Sequence, residues 1–353
     1  VLALHCHKIQ TYVFTMGAMM YDKTISLFLL LVFVTTVSAY NVSNEQSKMF
    51  KKAISTSMKK PPVTPLQSSA TGSIIQSGRN RLPSASSDML AGPPNYWFHP
   101  KIHTFGNTGV LGGLHAAVAP FVTMLIDNAA YDGENVRDKV AKQLRSIVSK
   151  EGANVVDLCC GVGISTRALR KAFSDANTII GVDTSKEMIA MAEVLSADNL
   201  VSKAFSSHLP FLDGACDASY TIGNAELTNL PDASFDLVTI MYAFHEAPYL
   251  GRYRMLREGH RLLSPGGTLA VIDISPKYQP GPTMLAGEPY VLEYKKNIHN
   301  QMKSVHGFES SEYSEVVDGH VGKWILTKTM SLISTPIMNR SALSSKSSFR
   351  RAP

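Results

Sequence analysis

An α/β fold, with helices on both faces of a mostly parallel sheet, is the architecture this sequence predicts. Three observations carry the prediction. From residue 136 onward, short β-branched runs alternate with stretches of helical periodicity, the pattern of strand and crossover helix. The segment 155–166, VVDLCCGVGIST, reads as a strand, a glycine turn and a helix start. The next β-branched run, TIIGV at 178–182, also ends on an acid, Asp183.

The chain has 353 residues, and its front does not look like a core. Residues 25–37 (ISLFLLLVFVTTV) form an apolar run after Lys23 and before the small-residue pattern ending at Ala39. That is the anatomy of a signal peptide, shorter than the ~20 residues of a membrane span. Residues 40–90 are rich in Ser, Thr, Lys and Pro, with Glu45 the only acid before Asp88, and cannot bury enough apolar surface to fold. A signal peptide (1–39) followed by such a segment resembles the two-part plastid leaders of algae with secondary plastids. Plastid localisation is therefore expected, with secretion, endomembrane retention or a signal anchor as alternatives. The tail, 331–353, is polar and basic and is expected to be disordered.

The net charge of +6 does not point to nucleic acid. Residues 1–90 carry nine Lys/Arg against three acids and the tail four against none, whereas 91–330 carry 21 against 25. The folded body is mildly acidic, and no basic stripe interleaves with aromatics, so no nucleic-acid partner is expected. The four cysteines (Cys6, Cys159, Cys160, Cys216) have no paired spacing, so neither a disulfide framework nor a metal site is expected. Cys159 and Cys160 fit as small residues in a tight turn.

The segment 91–150 is read as an N-terminal helical cap. It opens with an aromatic stretch around Trp97 in which His99 and His103 read as structural. LHAAVAPFVTMLIDNAA follows, one or two helices broken near Pro120, with contact to a membrane surface through 109–130 as a possible role. Residues 136–149 predict a helix with Val136, Val140, Leu144 and Ile147 on one side. The main domain, 151–330, starts with the strand at 155–158 and the helix at 164–173. A second strand at 178–182 precedes a helix at 186–195, N-capped by Ser185. Residues 196–217 read as an insertion. Strands follow at 219–222, 235–240 and 268–274, with a helix at 248–263 closed by Ser264-Pro265-Gly266-Gly267. On that helix Tyr249, Tyr253, Leu256, His260 and Leu263 recur at helical spacing as the buried side, which puts Arg252, Arg254, Arg257 and Arg261 on the wet side. A helix at 288–303 and a last strand at 323–328 complete the pattern.

The turn after the first strand is where a small ligand is expected, because helix-terminal N–H groups and glycine backbone face that space. A dinucleotide turn wants Gly-x-Gly-x-x-Gly, and here the third position is Thr166. A phosphate loop needs Gly-Lys-Ser/Thr, which is missing. What remains is Asp157 ending the first strand, the turn Gly161-Val162-Gly163, and Asp183, a carboxylate able to accept hydrogen bonds from both hydroxyls of a ribose.

These residues resemble the class I S-adenosylmethionine-dependent methyltransferases. VVDLCCGVG matches that family's first motif in the variant with cysteine for the first glycine, familiar from ubiquinone/menaquinone C-methyltransferases. The match continues through GVDTSKEMIAMA (181–192), IGNAELTNLPDASFDLVTI (222–240) and LREGHRLLSPGGTLAVID (256–273). The resemblance implies a seven-stranded Rossmann-like sheet with an antiparallel last strand, and S-adenosylmethionine as cofactor. It assigns Asp157 to the methionine end, Cys159, Gly161 and Gly163 to the close backbone approach, and Asp183 to the ribose. Asn224 and Ala225 fall at the adenine edge, Met188 or Thr184 packs nearby, and Met241 stands where the methyl projects. Asn224 replaces the family's usual Asp. After the fourth strand, Tyr242, His245 and Glu246 occupy the acceptor side, with His245 as the candidate base; the alternative is that His245 and Glu246 cap the following helix. An apolar, aromatic enclosure points to a small lipophilic or aromatic acceptor, methylated at carbon or oxygen. A nicotinamide-dependent oxidoreductase, or a non-catalytic module keeping the fold, are the other readings.

Overall fold

The computed structural model describes Gly92, residues 95–98 and residues 107–330. The leader 1–39, the segment 40–90, His99, His103 and the tail 331–353 lie outside the described residues.

Seven strands form one sheet: β1 (Asn154–Leu158), β2 (Thr178–Asp183), β3 (Ser219–Ile222), β4 (Phe235–Met241), β5 (Leu263–Ile274), β6 (Phe308–Val317) and β7 (Val321–Lys328). Their order is β3-β2-β1-β4-β5-β7-β6. The first five run parallel, and β7 pairs antiparallel with both β5 and β6. This is the seven-stranded, mostly parallel sheet with an antiparallel last strand that the sequence indicates. The chain reverses its direction of strand addition at β1, which has β2 on one side and β4 on the other. That switch point is where ligands bind in open α/β sheets.

Alternation along the strands splits the core between two faces. Val155, Ile179, Leu237, Ala270 and Ile272 pack on one face under α2 (Val136–Ile147) and α3 (Ile164–Ala172), through Val140, Leu144 and Leu169. Val156, Val182, Val238, Ile240, Leu269 and Val271 pack on the other under α6 (Tyr249–Leu262) and α8 (Val291–Lys303), through Leu256, Tyr294 and Ile298. A third cluster joins α1 (Gly109–Ala130) to α4 (Lys186–Ser196) and α5 (Leu200–Ser206), with Ala116 and Ala117 against Met188, Met191 and Phe205. A short α7 (Pro282–Gly287) precedes α8.

Three expectations are corrected, and one segment is filled in. Pro120 does not break its helix, because α1 is continuous through it. A mid-helix proline costs about 3 kcal/mol, here offset by burying Ala116, Ala117 and Pro120 itself. The segment 196–217, read as an insertion, contains α5, whose start is fixed by a reciprocal capping box between Asn199 and Ser202. The buried side of α6 is centred on Arg252, Met255, Leu256, Gly259 and Leu262. Arg252 is therefore fully buried, donating to Gln301, the Ala247 carbonyl and Glu293, while Arg254 and Arg257 are exposed as expected. Finally, residues 263–267 do not form a separate closing turn but open β5 itself. Ser185 caps α4 as the sequence indicates, accepting from the Met188 N–H at 3.2 Å.

Candidate functional site

Beyond Leu158 the backbone turns through three left-handed residues, Cys159 (φ 59°), Gly161 (φ 54°) and Gly163 (φ 80°). The turn is stitched to its neighbours by Cys160 N–H to Val182 O at 3.0 Å and Gly163 N–H to Cys160 O at 2.9 Å. Cys159 pays the roughly 1–2 kcal/mol that a Cβ costs in this region, whereas the two glycines do not. Gly161 faces the cavity, with no atom within 4 Å of where a Cβ would stand. Gly163 does not face it: a Cβ there would meet the Tyr220 ring at 2.7–2.9 Å. The close neighbour of Gly163 is a protein side chain.

Asp157 is likewise set back from the cavity. It is fully buried beneath the turn and does not line the cavity. Its oxygens accept from Ser165 Oγ (2.6 Å), Thr166 Oγ1 (2.7 Å) and Thr239 Oγ1 (2.7 Å). Burial pushes its carboxyl up and the three hydroxyls pull it back, with a net rise. Asp157 thus ties β1 to the first turn of α3 and to β4, and contacts protein where a ligand was expected.

Asp183 ends β2 on the cavity wall. One oxygen accepts from Gly161 N–H and the other from Ser185 N–H, each at 2.8 Å. A carboxylate can accept about four hydrogen bonds, so these two donors do not exhaust it. Thr184, Met188, Asn224 and Ala225 line the same side. Asn224 Oδ1 accepts from Glu226 N–H at 2.9 Å, an Asx turn that fixes the loop after β3 while the residue keeps its place on the wall.

The cavity measures about 270 Å³ and runs from this side to the end of β4, near the lower end of the ~300–1,000 Å³ typical of ligand pockets. Sequence reasoning missed much of its rim. From α1 come His115, Ala119 and Thr123, and from α2 comes Arg137. The start of α1 is held over the site by Glu187, which accepts from Gly109 N–H at 2.8 Å, and by Ser185 Oγ, which donates to Asn107 O at 2.6 Å. Tyr96 and Trp97, edge to face at 5.1 Å, also line the cavity, and Asn107 Nδ2 donates to Trp97 O at 3.4 Å.

Cys159, Met241, Tyr242 and Glu246 all line this cavity. Tyr242 is held at φ 58°, and the Arg137 guanidinium stacks 4.5 Å over its ring. Burial pushes its hydroxyl well above the usual phenol range, so it can donate but does not serve as a base. Burial does the same to the Cys159 thiol.

His245 does not line the cavity. It is 5% exposed and sits behind the wall, with Nδ1 2.5 Å from Asp273 Oδ1. Phe244 N–H and His245 N–H donate to the other Asp273 oxygen. Burial opposes a charge on the imidazole, but the Asp273 carboxylate, with Glu288 and Glu246 adding to it, outweighs burial and holds its pKa well above the ordinary value. The sequence points to His245 as the base; the structure places its ring behind the cavity wall, with Nδ1 engaged by Asp273. Nor is His245 the N-cap of α6, which is Pro248 and makes no side-chain capping bond. Glu246, the next residue, is the carboxylate that faces the cavity. Asp273 was legible by the rule that singled out Asp157 and Asp183, an acid at the end of a strand.

Residues 156–271 match the family model described as a methyltransferase domain. The chain is 32% identical over 135 residues to a demethylmenaquinone methyltransferase of Bacillus subtilis, covering 38% of this chain and 51% of that protein. It is 30% identical over 184 residues to a ubiquinone/menaquinone biosynthesis C-methyltransferase of Hydrogenovibrio crunogenus, covering 51% and 65%. The chain thus spans half to just under two thirds of the length of these curated relatives. Among solved structures, one titled as a SAM dependent methyltransferase from Aquifex aeolicus aligns at 19% identity over 60% of this chain and 98% of that one, with a TM-score of 0.40.

Proposed function

We propose that the chain transfers a methyl group from S-adenosylmethionine to a small aromatic acceptor of the quinol class, at a ring carbon or oxygen. The observation that carries this reading is one cavity lined both by Asp183 beside the Gly161 turn and by Glu246 together with Tyr96, Trp97, Tyr242 and Met255. The quinone substrates in the names of the similar proteins support the acceptor class.

When bound, S-adenosylmethionine supplies a methyl group already activated on a sulfonium. Asp183 accepts hydrogen bonds from the ribose hydroxyls, and the Gly161 backbone allows close approach. Asn224, Ala225 and Met188 enclose the adenine. The aromatic walls orient the acceptor ring and exclude water, which is most of what an in-line displacement requires. Loss of a phenolic proton makes the ring a better nucleophile, and Glu246 is placed to take it, a contribution typically worth ~10² to 10⁴ in rate. Tyr242 donates its hydroxyl hydrogen and orients.

Calorimetric titration with S-adenosylhomocysteine and NADH, followed by mass spectrometry of demethylated quinols incubated with a labelled methyl donor, tests the reading. Binding of S-adenosylhomocysteine but not NADH, with one methyl added, is expected. NADH binding, or no methyl on any quinol, overturns it. We also propose that α1 rests on a membrane surface from which a lipophilic acceptor enters. The helix is long and apolar enough to cross a membrane, and it exposes Val110, Leu111, Leu114 and Ile126 while His115, Ala119 and Thr123 line the cavity. Co-flotation with anionic vesicles, lost in Leu111→Glu, is the expected result. The leader's composition supports plastid targeting, checked by a fluorescent fusion of residues 1–90.

A further inference from the structure

At the Glu246 wall of the cavity, three donor atoms converge from segments far apart in the chain. His245 and Glu246 lie on the 3₁₀ turn Phe244–Glu246 that follows β4, and Glu288 lies between α7 and α8. His245 Nε2 is 3.2 Å from Glu288 Oε2 and 3.9 Å from Glu246 Oε1, and one donor atom from each residue lies within 4.8 Å of the other two. Two ligands each ~2.1 Å from a tetrahedral or octahedral ion stand roughly 3.0–3.5 Å apart, so a small cation would draw this set together with only slight side-chain movement.

We propose that His245, Glu246 and Glu288 bind a divalent first-row transition metal ion of the Mn²⁺ or Zn²⁺ kind.

Three features argue for a built site over a chance meeting of charges. The first is the orientation of the imidazole: Nδ1 is held at 2.5 Å by the fully buried Asp273, so Nε2 is aimed at the two glutamates. A carboxylate on the far ring nitrogen is the usual arrangement behind a metal-bound histidine, where it fixes the tautomer and ring plane. The second is charge. Asp273, Glu246 and Glu288 place three carboxylates around one imidazole, and the nearby Arg252 is engaged by Glu293, Gln301 and the Ala247 carbonyl. The third is Glu288 Oε2, sealed from solvent and, among the described residues, without hydrogen-bond geometry to any partner although it lies in ion-pair range of Nε2. One imidazole with two carboxylates suits Mn²⁺, Fe²⁺ or Zn²⁺ better than the all-oxygen ions Mg²⁺ and Ca²⁺.

Such an ion would join the segment between α7 and α8 to the end of β4, closing the acceptor side of the cavity. Glu246 belongs to both the cavity wall and the cluster, so a remaining coordination position would face the cavity and take water or an acceptor oxygen. Only this last point rests on the methyltransferase reading.

The test uses the full chain, stripped with EDTA and titrated with Mn²⁺ by electron paramagnetic resonance of the free ion and with Zn²⁺ by a chromophoric chelator. One equivalent is expected to bind. Glu288→Gln and Glu246→Gln, which keep shape and remove a charged ligand, should each weaken binding at least tenfold. Asp273→Asn, acting through His245, should cost ~10- to 100-fold. The metal should raise the melting temperature of the unmutated protein and not that of the Glu288→Gln, Glu246→Gln double variant. Substoichiometric binding, or binding unchanged in that double variant, overturns the site. S-adenosylhomocysteine titration of the same samples separates the two readings: retained cofactor binding without metal sinks the metal site alone, and metal binding without cofactor sinks the methyltransferase alone.

Discussion

Replacing Asp183 with alanine tests the cofactor assignment and its structural cost together. The carboxylate accepts from Gly161 N–H and Ser185 N–H at 2.8 Å each, and on the proposed reading it also accepts from two ribose hydroxyls. Hydrogen bonds to a charged group are worth about 1.5–3 kcal/mol each, so losing both ribose contacts removes about 3–6 kcal/mol. Because the residue is only partly buried, the lower end applies, a weakening of about 10²-fold at 1.4 kcal/mol per decade. The two orphaned backbone donors add roughly 1 kcal/mol each to the folding cost. At ~2–4 °C per kcal/mol for a domain of this size, the melting point should fall by about 4–8 °C. Asp183→Asn keeps one oxygen and should fall between the two proteins in both measurements. The assay is calorimetric titration with S-adenosylhomocysteine well below the variant's melting range. A folded Asp183→Ala protein that binds within threefold of the original would remove Asp183 from the site and the ribose argument with it.

The other predictions concern the frame around the site. Gly163→Ala should lower the melting temperature by several degrees, because its Cβ meets the Tyr220 ring at 2.7–2.9 Å at φ 80°; Tyr220→Ala in the same chain should recover part of the loss, and no recovery would mean that the ring is not the obstacle. Burial raises the Asp127 carboxyl to about 6 from 3.8, and Arg137 at 3.8 Å offsets only part of the rise. A raised folded pKa means that protonation favours the fold: this contribution is complete below about 3.8 and is lost as pH rises through about 6. Asp127→Asn should therefore gain melting temperature relative to the parent as pH rises from about 4 to about 6, and a constant difference across that window would refute the linkage. Arg252→Met should cost about 3–5 kcal/mol by leaving Glu293 buried without its partner, and adding Glu293→Gln should restore part of it in a denaturation-based double-mutant cycle.

What the sequence revealed and what it hid follow one physical division. Strand ends and the turns after them are local, so Asp183, Gly161 and the switch point at β1 could be read from spacing. Strand β6 could not: FESSEYSEVV alternates with polar and acidic residues, and as the edge strand it is mostly not buried, so no apolar period marks it. Arg252 was misplaced for a related reason. Helical periodicity identifies a buried side only to within a residue or so, and a long cationic side chain enters a core when the partners waiting there, Glu293 and Gln301 from α8, come from elsewhere in the chain.

The same division separates residues that look interchangeable. Asp157 and Asp183 both end parallel strands in the same sheet, yet one is fully buried and the other lines the cavity. Two of the hydroxyls that occupy Asp157, Ser165 and Thr166, follow it by eight and nine residues and were visible in the sequence as a helix start; the third, Thr239, arrives only through the pairing of β4 with β1 at Asp157. His245 and Glu246 are adjacent in sequence but divide their roles in the same way. Glu246 reaches the cavity, while His245 is drawn to Asp273, brought beside the end of β4 by the pairing of β4 with β5. Sequence proximity therefore nominates a pair. The partner supplied by the neighbouring strand decides which of the two meets the ligand, and that partner is a property of sheet register.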